Sequence, residues 1–412
     1  MVWILAFFTL AGYNFSFWFF IGIVRFFAET LFTNKKKEAL PNVITIKEVA
    51  AIIPAHNEET TIERTLKLLM AVLPKKNIFV AVDDSTDQTG AIVQALGVNM
   101  FDITPNVGKA KALVKTLQKY DIYQKFKAVL IHDADIEIGK DYMKYALPHF
   151  NDPKVAAVAP HQSTELKSYG LWETFFIAYR VRLWRVIQLG MRFGQTWKFT
   201  NVTYIVPGGL SVYRTSALQK IEIDAPGLII EDFNMTFELH KKKLGRVAYD
   251  PKVIGRGHDP YYLRDYIKQV KRWDLGFWQT IKRNGVWPSF FWVSTGSYIA
   301  EMVLFALFTL LTPFLIVAFY FNSWQPLDMP FTSADLYLQE LIVGVFFMDF
   351  FTTMLVAVFE KKWSMKIAML FYGMGFYILR YIDAFIYIYT IPLAFFTESA
   401  GTWASPRRKE KF

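Results

Sequence analysis

Two kinds of apolar pattern divide this 412-residue chain. Long, nearly uncharged runs stand at its ends, and short apolar runs alternate with helical-period segments between them. Trp3 to Phe27 is the first long run, close to the ~20 residues a spanning helix needs. It has no basic start or small-residue cleavage site and is longer than a signal-peptide core, so it reads as a membrane anchor. Arg25 and then Lys35, Lys36 and Lys37 place the middle of the chain in the cytoplasm by the positive-inside rule. Phe290 to Phe321 is the second run, with Phe290 to Trp292 in the interface and the remainder spanning. The loop Asn322 to Asp335 has no Lys or Arg, as an external loop should, and Leu336 to Phe359 returns to Lys361, Lys362 and Lys366.

Ile367 to Phe396 is a third apolar stretch, interrupted by Arg380 and Asp383. A single crossing would leave the basic tail Arg407, Arg408, Lys409 and Lys411 outside, whereas a re-entrant or interfacial hairpin keeps it inside. The pattern leaves both open. Arg380 and Asp383 share a helical face, where they either line a water-filled path or form a structural ion pair.

From Val49 to Trp287 the period changes. Val49 to Pro54 reads as a buried strand, and Thr60 with Glu63 as a capping box for a helix through Met70. Ile78 to Asp83 is a second strand, followed by a helix capped by Ser85 with Gln88. Val98 to Asp102 is a third strand, Ala110 to Leu117 a helix, and Ala128 to His132 a strand running into an acidic turn. Repeated strand–helix units predict an α/β fold with a mostly parallel sheet, whose ligands sit at the carboxyl ends of the strands. The polar clusters His56–Glu58, Asp83–Asp84 and Asp133–Asp135 fall at those ends, so one shared site is the economical reading.

Composition supports this division. Hydrophobic residues make up 53% and aromatics 17%, above what a soluble enzyme of this length carries. The net charge of +10 concentrates in the middle and beside the apolar runs. Such a surplus suits nucleic acid, acidic headgroups or a diphosphate. With no zinc-finger pattern or compact basic helix, nucleic acid is not favoured. The absence of cysteine excludes disulfides, thiolate metal sites and cysteine nucleophiles.

Four clusters carry candidate chemistry. Asp133 and Asp135, one residue apart at a strand end, suit a hard divalent ion, Mg²⁺ or Mn²⁺, although an acidic turn has the same pattern. Asp83 and Asp84 open a turn in which they either cap a helix or accept hydrogen bonds from a base and ribose. Glu231 and Asp232 follow the apolar run Leu228 to Ile230, which would raise a carboxyl pKa towards that of a general base; a helix N-terminus is the plainer role. Gln269, Arg272 and Trp273 share one helical face. There Arg can hold a diphosphate and the indole can stack on a sugar ring, unless both belong to an interfacial belt. Asn106 to Lys109 looks like a short phosphate-facing turn without the full P-loop pattern. Gly208 and Gly209 permit the close backbone approach of an acceptor site, or form a plain turn.

In order along the chain, IIPAHNEE, VDDSTDQT, NVGKAKAL, HDADIEI, PGGLSVYR, IIEDFNM and QVKRW resemble the processive family 2 glycosyltransferases, the group of cellulose, chitin, hyaluronan and poly-N-acetylglucosamine synthases. The tail Thr402 to Arg407 is similar to the end of the bacterial poly-N-acetylglucosamine synthases. The resemblance implies a GT-A-like nucleotide-sugar-binding domain flanked by transmembrane helices. Its divisions would be 1–33 anchor, 34–262 cytoplasmic catalytic domain, 263–296 interfacial helices, 297–396 transmembrane region and 397–412 basic tail. It also implies a metal-dependent, inverting transfer from a UDP-sugar, with N-acetylglucosamine suggested by the tail, to a growing glycan at a membrane. Asp83 would contact the donor base, Asp133 the ribose or diphosphate, Asp135 the metal, and Lys109 the donor. Asp232 would be the general base beside Glu231, while Gln269, Arg272 and Trp273 would close over the diphosphate and hold the acceptor end. Ile230 departs from the pattern, standing where Thr is common before Glu-Asp. The single N-terminal span and few C-terminal ones imply an accessory subunit or homo-oligomer to complete an export path. The alternatives are a transferase adding one sugar to a lipid, and a transporter or scaffold with a non-catalytic domain.

Overall fold

The computed structural model describes residues 12–32, 42–164, 166, 170–321, 326–328 and 335–398. The first part of the Trp3–Phe27 run, Lys35 to Lys37, and the tail Thr402 to Arg407 with Arg408, Lys409 and Lys411 lie outside the described residues.

The middle of the chain folds around an eight-stranded sheet. In chain order its strands are β1 (Val49–Ala55), β2 (Ile78–Asp83), β3 (Asn99–Ile103), β4 (Ala128–His132), β5 (Glu137–Ile138), β6 (Val155–Ser163), β7 (Leu210–Arg214) and β8 (Arg246–Arg256). The spatial order is β3-β2-β1-β4-β7-β6-β8-β5. Strands β3, β2, β1 and β4 are mutually parallel, β7 runs against β4 and β6, β6 and β8 are parallel, and β5 opposes β8. The sheet is therefore mixed but mostly parallel, as the strand–helix repeats predict.

Alternation on the central strands explains the two-sided core. Ala51, Ile53 and Ala55 of β1 and Leu130 of β4 face one apolar layer. Ala50, Ile52, Val129 and Ile131 face the other. Both faces are covered, so every residue of β1 is buried and the strand reads as a continuous apolar run. Pro54, which has no N–H, sits beyond the stretch Val49–Ile52 that pairs with β4.

The α-helices of eight or more described residues are α1 (Tyr13–Phe32), α2 (Ile62–Met70), α3 (Thr89–Leu96), α4 (Lys109–Lys119), α5 (Leu171–Arg185), α6 (Glu231–Lys241), α7 (Leu263–Asn284), α8 (Phe290–Phe321), α9 (Leu338–Val358), α10 (Trp363–Gly373) and α11 (Phe376–Phe396). Two capping expectations are corrected. Helix α2 begins at Ile62 behind Thr61 rather than Thr60, and the Glu63 carboxylate pairs with Lys67 Nζ at 2.6 Å instead of closing a box. At α3, Ser85 Oγ accepts from the Asn57 N–H at 3.0 Å. Asp87 takes the capping role, its Oδ1 accepting from the Thr89 N–H at 3.0 Å.

Among the described residues two helical stretches, Phe290–Val317 and Phe376–Phe396, are long and apolar enough to cross a membrane, and Val343–Val358 is a shorter apolar helix. The third apolar stretch of the sequence is two helices: α10, too short to span at 1.5 Å per residue, and then α11. Many large apolar side chains on these helices point outward, among them Leu304, Phe314, Phe347, Phe371, Ile378 and Phe385, and α1 shows Phe20, Phe26 and Leu31 likewise. An apolar outer surface of this extent fits lipid better than water. Arg380 does not pair with Asp383. Its guanidinium reaches Asp349 of α9, which also takes Arg182 of α5, while Asp383 accepts from the hydroxyls of Tyr179 at 2.7 Å and Tyr266 at 2.6 Å.

Candidate active site

Parallel pairing brings the carboxyl ends of β2, β1 and β4 side by side, and the polar clusters follow them there. The loops after β1 and β2 are tied together. His56 Nδ1 lies 2.6 Å from the Asp83 carbonyl, and Asn57 Oδ1 accepts from the Thr86 N–H at 2.8 Å. Asp83 is fully buried. Its two carboxylate oxygens accept from the N–H groups of Val107 and Gly108 at 2.9 and 2.8 Å. It therefore fixes the turn that begins α4, rather than facing the cavity described below.

That turn delivers Lys109. Its Nζ lies 2.7 Å from Asp133 Oδ1 and 2.8 Å from Glu231 Oε1, joining the end of β4 to the first turn of α6. The antiparallel register of β7 on β4 sets His132 opposite Leu210, and the Asp133 N–H donates to the Gly209 carbonyl at 2.8 Å. Gly208 and Gly209 therefore lie against the acids. A Cβ at Gly208 would come 2.9 Å from Glu231 Oε1, and one at Gly209 would come 2.3 Å from Ile136 Cδ1 and 2.9 Å from Asp133 Oδ2. Gly209→Ala must push both Ile136 and Asp133 aside. A displacement near 1 Å costs on the order of 10²-fold in a positioned reaction, so turnover is expected to fall by about that factor with little change in melting temperature. Unchanged turnover would show that Asp133 need not hold its position.

Asp232 accepts from the Gly208 N–H at 3.1 Å through Oδ2 and from the Phe233 N–H at 2.8 Å through Oδ1. Burial and the neighbouring Glu231 push its pKa up to about 7. Burial also acts on Glu231, but Lys109 outweighs it and holds that carboxyl below its ordinary value. Burial, with repulsion from Asp135, raises Asp133 to about 6 against the pull of Lys109. Lys109 is held above its ordinary range by its two carboxylates despite burial.

These groups open on a cavity of about 830 Å³. Lys109, Asp133, Asp135, Gly208, Gly209, Glu231, Asp232, Gln269, Arg272 and Trp273 all line it, so every expected site residue except Asp83 is brought to one place. The cavity continues between the apolar helices to Glu301, Thr309, Asp349, Thr352, Arg380 and Asp383. Asp133 and Asp135 fit a hard cation: both are oxygen donors on one wall, and burial and the charge of Asp135 raise the pKa of Asp133 even with Lys109 beside it. Among the described residues no third acid or histidine joins them, so the remaining ligands would come from a diphosphate and water.

Helix α5 carries groups the sequence reading passed over. Arg180 is fully buried, with its guanidinium carbon 4.6 Å from the Tyr266 ring centre and 4.8 Å from that of Trp273. Its Nη2 donates to Gln269 Oε1 at 2.6 Å. Trp184 meets Trp273 edge-on at 5.7 Å and donates to Asp259 at 3.0 Å. Arg180 and Trp184 thus set the orientation of Gln269 and Trp273. The signal lay in YRVRLWR, where arginines recur within an aromatic run.

Residues 128–327 match the family described as "Glycosyl transferase family group 2". That match to a family 2 glycosyltransferase domain covers just under half of the chain. A poly-beta-1,6-N-acetyl-D-glucosamine synthase of Staphylococcus aureus (strain COL) is 25% identical over 277 residues, 65% of this chain and 64% of that protein. The probable glycosyltransferase YdaM of Bacillus subtilis (strain 168) is 26% identical over 246 residues, 57% of this chain and 56% of its own length. The matches thus span less than two thirds of these relatives. Among solved structures, the mannosyltransferase PcManGT from Pyrobaculum calidifontis, in complex with GDP-Man and Mn²⁺, aligns with a TM-score of 0.52 at 16% identity, covering 94% of this chain and 98% of that one. That likeness is one of fold alone.

Proposed function

We propose that this chain is an inverting β-glycosyltransferase that extends a polysaccharide from a UDP-sugar, with its catalytic domain (34–262) on the cytoplasmic face of a membrane. The observation that carries this reading is the single cavity, in which the acid pair, Asp232 and Trp273 meet and from which polar side chains continue between the apolar helices. The basic residues Lys361 and Lys362 between α9 and α10, with Lys366 in the first turn of α10, support the orientation. N-acetylglucosamine is the sugar favoured by the Staphylococcus relative's name.

In this reading Asp232 takes the proton from the acceptor hydroxyl. Each of its oxygens already accepts one backbone N–H, which fixes the carboxylate and leaves a lone pair for the incoming hydroxyl. Attack from the Asp232 side on an α-linked donor gives a β-linked product. Lys109 and Arg272 place positive charge beside the diphosphate, and Gln269 and Trp273, held by Arg180, hold the acceptor terminus. Asp133 and Asp135 would hold Mg²⁺ or Mn²⁺, which supplies charge neutralisation for the departing diphosphate. The interfacial segment 263–296 and the region 297–396 would carry the product towards the bilayer, with a second copy or an accessory subunit completing the path.

UDP-sugars presented to the full chain in nanodiscs, with product sizing, test this. Turnover is expected to require Mg²⁺ or Mn²⁺, to stop with EDTA, and to drop by about 10²-fold or more in Asp135→Asn, in line with losses on removing one electrostatic stabiliser. Long products support polymerisation, and one lipid-linked sugar would replace it with single addition. Exclusive use of a lipid-phosphate donor, or metal-independent binding without turnover, would overturn the reading.

A further inference from the structure

Between the catalytic acids and the apolar helices lies a second set of polar groups that the transfer chemistry leaves unused. Arg192 is 2% exposed and lines the cavity. Among the described residues its side chain makes one hydrogen bond, from Nη1 to Gln188 Oε1 at 3.3 Å. No carboxylate among the described residues lies within 4.0 Å of it. Gln188 has little to spare, since its Oε1 already accepts from the Gln162 N–H at 2.7 Å. A guanidinium has five N–H donors, and among the described residues one of them meets a side-chain acceptor, with the Tyr249 ring centre 6.0 Å from the guanidinium carbon, so donors remain for a ligand in the cavity. The π-helical turn Val186–Arg192 brings it here, and such turns recur at functional sites.

Asn14 repeats the anomaly from the other side. It is 3% exposed and lines the same cavity; among the described residues neither its side-chain oxygen nor its nitrogen has a partner. Its backbone N–H donates to Glu301 at 2.8 Å. The rings of Tyr204 and Tyr298 stack at 4.7 Å, and both line the cavity together with the catalytic acids and Glu301.

We propose that Arg192, Asn14 and Glu301, with the Tyr204–Tyr298 pair, form the subsite for the acceptor's second and following sugar rings, on the membrane side of the reacting hydroxyl. This rests on the glycosyltransferase reading and adds where the acceptor chain lies. The mixture of groups favours a neutral glycan. Hydroxyls both donate to Glu301 and accept from Arg192, and Asn14 does either, while aromatic rings suit the apolar faces of pyranoses. A phosphate would profit only from Arg192 and would meet the repulsion of Glu301 and of Asp232, whose charge already acts on Arg192. The three polar residues are positioning residues, acting on the acceptor away from the reacting atoms.

The test uses the full chain in nanodiscs, UDP-N-acetylglucosamine, and β-1,6-linked N-acetylglucosamine oligosaccharides of increasing length. Acceptor KM is expected to fall as the oligosaccharide lengthens past one ring. Arg192→Gln and Asn14→Ala should each raise it by about tenfold for the longer acceptors, the worth of one hydrogen bond to a buried polar group, with donor KM moving far less. Asn14→Ala removes no charge, so it keeps the test decisive if Arg192→Gln fails to fold. Wild-type acceptor KM at every length in both variants overturns the subsite while leaving the transferase reading intact. So does an isoprenoid phosphate that replaces the oligosaccharides and whose KM rises in Arg192→Gln. Absence of any nucleotide-sugar turnover in the wild type removes the parent reading and the subsite together.

Discussion

Asp232→Asn should lower the transfer rate by about 10²–10⁴-fold, the range associated with loss of a positioned general base, while leaving donor binding nearly intact. Asparagine keeps the shape and accepts from the Gly208 N–H as Asp232 does, but it cannot take the acceptor's proton. Glu231→Gln should behave differently, because the Glu231 carboxylate is already engaged with Lys109. The pH profile gives a second reading of the same group. With its pKa pushed up to about 7, Asp232 is mostly protonated in mildly acidic solution, so wild-type turnover should fall roughly tenfold per pH unit below 7. Stability moves the other way. The folded-state pKa lies above the unfolded carboxyl value, so this group's contribution is fully present below about 4 and is lost as pH rises through 7. An acid limb in turnover paired with no loss from this source in the thermal unfolding curve is the expected pattern. A flat profile from pH 5 to 8 would assign the proton elsewhere.

Much of the fold and the site was written locally in the chain. Strands β1, β2 and β4 are buried on both faces and stand out as short apolar runs, and parallel pairing then dictates that Glu58, Asp84 and Asp133 end up at one edge. The acid pair and Asp232 were legible because each directly follows such a run. Four things were not legible, each for a physical reason. The partner of Arg380 is Asp349, 31 residues away, and helix-face spacing sees only neighbours three or four apart. Asp83 looked like a ligand-facing acid, yet the backbone N–H groups of Val107 and Gly108 claim both its oxygens, a tertiary demand invisible in the turn's own sequence. The capping of α3 passed from Ser85 to Asp87 because the Asn57 N–H, from the loop after β1, takes the serine hydroxyl. Arg180 and Arg192 went unread because an arginine among apolar neighbours looks interfacial until the packing shows it buried.

Lys109 should prove the other most sensitive position, for stability and chemistry together. It is the one described cation bridging Asp133 and Glu231, at 2.7 and 2.8 Å, and the side chains are 20%, 25% and 9% exposed. Lys109→Met leaves two largely buried carboxylates facing each other without a counter-charge. Removing one member of a buried pair costs about 3–5 kcal/mol; with a fifth to a quarter of two partners open to solvent, the lower end is the expected loss. Turnover should fall by about 10²-fold or more, since the diphosphate loses a cation and Asp133 loses the contact that fixes it. The double variant Lys109→Met with Glu231→Gln separates these effects. Neutralising Glu231 removes one of the stranded charges, so melting temperature should recover part of the way towards wild type, as coupled neighbours do in a double-mutant cycle. Turnover should not recover, because Asp133 remains unpaired and the donor side still lacks its cation. Recovery of turnover with stability would make Lys109 a structural strut alone, and the positive charge beside the diphosphate would then have to come from Arg272.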